Sequence, residues 1–147
     1  MKIKFLTVLF MISLLLSFSS IVIAKSNVEV ELNGTNVTSK FSPMLVKNSV
    51  FVPVESLNFN AEFNFGILQG TMPNLIIFES NDCTIYLTIG STTMQKNGET
   101  LKLYSPPFVK NGVTWVPLRA IAEGFDSKVI WDQQSKMVSV VTLHYMP

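Results

Sequence analysis

The sequence predicts an α+β domain: a mostly antiparallel, twisted β-sheet packed on one or two short helices and built from two pseudo-repeats. Three observations carry that expectation. The stretch "VKNGVTWVPLRAIAEGFDSKVIWD", Val109 to Asp132, has a worn copy in "LVKNSVFVPVESLNFNAEFNF", Leu45 to Phe65. Asn97-Gly98 and Asn111-Gly112 supply the positive φ angles of type I′ turns and so mark hairpins. Leu118, Ile121, Ala122 and Phe125 recur at i, i+3, i+4 and i+7, one face of a short helix.

Taken in order, the first 24 residues stand outside that fold. Lys2 and Lys4 make a basic start, Phe5 to Leu16 is almost wholly apolar, and Val22-Ile23-Ala24 closes the run, which is the pattern of a secretory signal peptide. The alternative is an uncleaved anchor, since Phe5 to Ala24 approaches the roughly 20 residues that cross a bilayer, and that segment is the chain's expected membrane contact. Four serines interrupt it, which favours cleavage. Residues 25–147 then form a single domain, with pseudo-repeats over about 28–91 and 92–147.

Setting Pro43 on Pro106 gives an offset of 63, and Val52-Pro53 on Val116-Pro117 gives 64, so this alignment inserts one residue in the second copy. Val113 to Val116 is a short strand. Pro117 lacks an amide hydrogen and fixes φ, which suits a helix start and stops a central strand, and Gly124 is placed to close the helix at its C-cap. Ser127 to Trp131 returns as a strand, Asp132 to Ser135 turns, and Lys136 to Leu143 is a longer, valine-rich strand. In the first copy Val54, Leu57 and Ala61 keep the helical spacing, but Asn58 interrupts it and a single turn is expected. Gly66 to Asn74 contains two glycines and a proline and reads as a loop. Leu75 to Glu79 and Cys83 to Ile89 are strands around a Ser80-Asn81-Asp82 turn.

Composition excludes some functions. Once Lys2 and Lys4 are set aside, nine basic side chains face ten acidic ones with no basic stripe, which argues against nucleic acid. Cys83 is the sole cysteine, so it packs as a small apolar residue or pairs with another chain. Asn33-Gly34-Thr35 and Asn36-Val37-Thr38 match a glycosylation acceptor pattern, which has meaning only in a host that glycosylates. No Ser-His-Asp set, Cys/His metal pattern or phosphate-cradling glycine loop is present in the sequence.

"NGVTWVPLRAIAEGFDSKVIWD", preceded by "YLTIGSTTMQKNGETLKLYSPPFV", resembles the copper amine oxidase N-terminal domain-like family, the bacterial stalk domain, over about Val28 to Leu143. The resemblance implies a small α+β module, a twisted antiparallel sheet around a helix, found in some amine oxidases and in many exported or cell-surface proteins. Its role there is non-catalytic. Copper held by imidazoles needs several converging donors, and His144 is the only histidine, so no cofactor is expected. This chain departs from the pattern where Glu55 stands in place of Arg119, where the first copy lacks a Trp-Asp pair, and in the extra stretch Gly66 to Asn74.

Within that frame Pro53, Pro117, Gly112, Trp131 and Asp132 are expected to be structural. Arg119 and Trp115 are the binding candidates. Arg119 either meets a carboxylate or glycan, or packs its stem and pairs with Glu123, Asp126 or Asp132; a contact with Glu55 is a further possibility. Trp115 and Trp131 are core residues or an exposed sugar-stacking platform, with Trp115 the better candidate for partial exposure. The expected function is an exported non-catalytic structural or protein-interaction module of the cell envelope or exterior. The alternative is a binder of cell-wall glycan or peptide.

Overall fold

In the computed structural model of the chain the described residues are 28–57, 66–69 and 73–142. The expected signal segment, Asn58, Ala61 and His144 lie outside them. Among the described residues no helix is long and apolar enough to cross a membrane.

The Asn-Gly pairs turn the chain as their chemistry requires. Asn33 and Gly34 stand at φ 49° and 81°, Asn97 and Gly98 at 48° and 87°, Asn111 and Gly112 at 53° and 77°. Each joins an antiparallel hairpin: β1 (Glu29–Leu32) to β2 (Thr35–Asn36), then β8 (Thr93–Lys96) to β9 (Glu99–Lys102), then β10 (Phe108–Lys110) to β11 (Val113–Pro117). Between the first two come α1 (Thr38–Phe41), β3 (Met44–Val46), β4 (Ser49–Pro53), α2 (Val54–Leu57), β5 (Gly66–Gln69), β6 (Leu75–Glu79) and β7 (Thr84–Thr88). The chain finishes with α3 (Leu118–Gly124), β12 (Lys128–Asp132) and β13 (Met137–Val141).

The strands form three sheets where the sequence predicts one, ordered β12-β13-β1-β2, β10-β11-β4-β3 and β5-β6-β7-β8-β9. Pairing is antiparallel except between β1 and β13, which run parallel with Glu29 opposite Met137. Asn33 ties that junction across the sheet: its Oδ1 accepts from the Thr142 amide at 2.9 Å, and its Nδ2 donates to Thr142 Oγ1 at 3.1 Å. The amide nitrogen of this acceptor-pattern asparagine is therefore engaged in holding two strand ends together.

In the second sheet the hairpins β3-β4 and β10-β11 meet through β4 and β11, with Val52 opposite Val116, Trp115 opposite Pro53 and Pro117 opposite Phe51. Both prolines close a strand and hand it to a helix, as expected of a residue with fixed φ and no donor. The two hairpins keep one separation of 64 residues throughout, β3 to β10 and β4 to β11 alike. Lys47-Asn48 joins β3 to β4, and Asn111-Gly112 joins β10 to β11.

Two more expectations are corrected. Gly66–Gln69, read as loop from its glycine, is an edge strand, because pairing with Ile76 to Glu79 satisfies its backbone at the margin of the sheet. Gly124 is the last residue of α3 and not a left-handed cap, the φ of 57° falling instead on Asp126. The reason for a glycine there is approach: a Cβ would stand 2.5 Å from Ile85 Cδ1 and 3.6 Å from Met94 Cε. Helix α1 carries no sequence signal of its own. It is one turn without a side-chain cap, held by burial of Phe41 and ended by Ser42 at φ 41°.

The core gathers Phe41, Phe51, Phe78, Ile85, Leu87, Leu118 and Ile121, all almost fully buried. Helix α3 is central to it, since it packs on β4 and β11 of one sheet, on β12 of another, and through Gly124 on Ile85 and Met94 of the third.

Candidate groove between two sheet edges

A groove of about 740 Å³ opens where α3 meets the three sheets. The first turn of the helix supplies Leu118, Arg119 and Ala120. β3 and its turn supply Leu45, Lys47 and Asn48, the β9 region supplies a continuous run from Leu101 to Ser105, and β12 supplies Val129 and Trp131. Both β3 and β9 are edge strands of their sheets, so the groove is framed by two sheet margins. Ser49, at the start of β4, and Ser105, past the end of β9, meet across the groove with hydroxyl oxygens 3.0 Å apart.

Its lip is amphipathic. Tyr104 is 97% exposed and Leu45 is exposed as well. Lys47, Lys96, Lys102 and Arg119 line the groove with one acid, Glu123. Lys96 Nζ lies 2.7 Å from Asp126 Oδ1, and Arg119 lies 3.7 Å from Glu123 one turn along the helix. Those are the ion pairs among the described residues, so Glu55 does not bridge to Arg119.

Arg119 therefore faces solvent at the groove with a loose i,i+4 partner. Both side chains of that pair are about half exposed, a setting in which such pairs contribute roughly 0.3–0.5 kcal/mol. Arg119→Ala is expected to leave the unfolding free energy within about 0.5 kcal/mol of the parent, as read by urea denaturation.

Trp115 does not line the groove. Its ring stacks on Phe108 at 6.4 Å and 14°, and Phe108 meets Phe51 edge-on at 4.9 Å. Its indole N–H is buried without a hydrogen-bond partner among the described residues. Leaving such a donor unsatisfied costs about 1–3 kcal/mol, so Trp115→Phe is expected to hold or raise stability by up to about 1 kcal/mol despite the smaller ring. A calorimetric melt checks it.

Trp131 is the tryptophan at the groove. It is half-buried against the core, and its Nε1 donates to Gln133 Oε1 at 2.8 Å. Asp132 beside it is exposed and works on the turn: its Oδ1 accepts from the amides of Gln134 at 2.7 Å and Ser135 at 3.2 Å, which lowers the carboxyl pKa below its ordinary value.

Cys83 is half-buried, and its thiol donates to the Gly124 carbonyl at 3.6 Å. Burial pushes the thiol pKa up, Asp126 adds to the rise and Lys96 opposes it, so the sulfur stays protonated and is a poor nucleophile. Among the described residues no three His, Cys, Asp or Glu side chains stand together in a way that would hold a metal ion.

Sequence reasoning found Arg119 but missed Tyr104, Lys47 and Lys102. They sit in turns and at strand ends, where no periodicity marks them, and only the meeting of β3 with β9 brings them to one place. A search of curated proteins finds no match. The family model of the copper amine oxidase N-terminal domain matches residues 31–140, a span that begins in β1, ends in β13 and takes in the groove. The chain belongs to the copper amine oxidase N-terminal domain family, a family of non-catalytic domains.

Proposed function

We propose that this chain is an exported, non-catalytic stalk-type module acting as a protein-interaction or structural domain in the cell envelope or outside the cell. The observation that carries the reading is the groove: two sheet edges, a basic lip and an aliphatic floor make a surface suited to holding another molecule. Its tyrosine is presented to solvent and its arginine is half exposed with only a loose partner, which is how binding residues differ from packing residues.

The pseudo-repeat belongs to the same proposal. Each unit supplies a leading hairpin, a hairpin followed by a helix, and a closing hairpin. The leading hairpin of the first unit, β1-β2, shares a sheet with the closing hairpin β12-β13 of the second, and β8-β9 shares one with β5-β6, with β7 between. Such an exchange explains why a duplicated unit stays one domain: neither copy can complete its sheets alone.

One observation favours the glycan alternative, namely that Tyr104 and Trp131 both line the groove and aromatic faces can stack on sugars. Cell fractionation and sedimentation with isolated cell walls separate the readings. The proposal expects the chain outside the cytoplasm, shortened by residues 1–24, with no saturable retention on walls. Retention displaced by soluble wall fragments supports the glycan binder, and a chain that stays in the cytoplasm overturns export.

A further inference from the structure

We infer that the groove binds an extended, acidic segment of a partner protein, added as a strand along the outer margin of β9; this rests on the protein-interaction reading above. β9 ends the five-stranded sheet, so one row of its backbone donors and acceptors has no neighbouring strand. Leu101 and Lys102 close β9 inside the groove, and Leu103, Tyr104 and Ser105, beyond the end of the strand, continue its wall, so an incoming strand pairs with β9 and then follows that wall. Strand addition of this kind draws affinity from main-chain hydrogen bonds and specificity from pockets for alternate side chains.

The charge of the segment follows from the lip. Four of the nine cations of residues 25–147 line this groove, against one of the ten acids. Lys96 is occupied by Asp126 and Arg119 leans on Glu123, while Lys47 and Lys102 have no ion pair among the described residues. An incoming carboxylate meets cations at the lip, and intervening aliphatic side chains reach the floor formed by Leu118, Val129 and Trp131.

The same inventory disfavours a glycan. A sugar's hydroxyl groups need side-chain donors and acceptors, and the floor is mainly aliphatic, while Ser49 and Ser105 are bonded to each other. Hydroxyls buried there would be left unpaired, a cost of about 1–3 kcal/mol each. A peptide brings its polar groups to the strand margin, where partners wait.

The test is a titration of the isotopically labelled full chain with a capped decapeptide of alternating glutamate and valine. The controls are its lysine-valine counterpart and polygalacturonate, an anionic glycan. The glutamate peptide is expected to bind, to shift amide resonances from Glu99 to Ser105, and to lose affinity as salt is added. Lys47→Glu with Lys102→Glu is expected to weaken it by roughly tenfold and to improve binding of the lysine peptide, a reversal that a damaged fold does not produce.

Equal binding of the two peptides, shifts confined to another surface, or displacement of the peptide by tighter-binding polygalacturonate overturns the inference. If neither peptide binds while the exported protein cross-links to a partner through a different face, the inference fails and the interaction role stands. If the chain stays in the cytoplasm, the export proposal fails whatever the titration gives.

Discussion

Truncating Ile121 to alanine is expected to lower the unfolding free energy by about 2–5 kcal/mol, a large share of the roughly 5–15 kcal/mol that holds a domain of this size together. Ile121 is fully buried in α3, the helix on which all three sheets converge. Removing its γ and δ carbons forfeits their transfer energy and leaves a cavity, which a one-sided contact could collapse into and this site cannot. Three walls rather than one would have to move. Urea denaturation followed by far-ultraviolet circular dichroism measures it. The contrast with Arg119→Ala, two positions earlier on the same helix, is part of the expectation.

The second large effect concerns Gly124. A methyl group at that position falls 2.5 Å from Ile85 Cδ1, inside a core where Ile85 is fully buried and has little room to turn. Alanine is favoured over glycine in a helix by about 1 kcal/mol, and this gain opposes the clash for Gly124→Ala. Gly124→Val has no such relief, and overpacking is expected to cost it about 1–3 kcal/mol or more. Ile85→Val deletes the Cδ1 atom that obstructs the new methyl group. The pair Gly124→Ala with Ile85→Val is therefore expected to be more stable than the two single changes add up to, by roughly 0.5–3 kcal/mol of coupling. Strict additivity in that double-mutant cycle would mean that α3 and β7 do not meet as described.

Much of the fold is legible in the sequence because it is written in local chemistry. Asn-Gly pairs set φ by themselves, Pro117 stops a strand and starts a helix by itself, and the spacing of Leu118, Ile121 and Ala122 names the buried face. What was hidden depends on neighbours distant in sequence. Gly124 looks like a cap until Ile85, from another sheet, is placed against it. Gly66 looks like a loop residue until β6 supplies partners, and the division into three sheets rests on β1 lying beside β13, a pairing between opposite ends of the chain.

The groove was the least legible part, for the same reason. Arg119 drew notice because it follows a proline at the head of a recognisable helix. Tyr104 and Lys47 belong to bends and turns, Lys102 ends β9, and the three become a site only when two sheet margins face each other. Trp115 and Trp131 were hard to rank because both are half-buried, and the sequence does not say which half. Trp115 turns its indole nitrogen inward and stacks on Phe108, while Trp131 reaches the groove.

The proposed interaction role requires that another protein bind at the groove framed by β3 and β9. A photoactivatable cross-linking residue placed at Tyr104, and in a separate experiment at Tyr86, tests it on intact cells. Both side chains are exposed, but Tyr86 lies in the middle of β7 and does not line the groove. Irradiation is expected to give a discrete protein adduct from position 104 and none from position 86. An adduct from position 86 alone, equal adducts from both, or none from either overturns an interaction role for the groove.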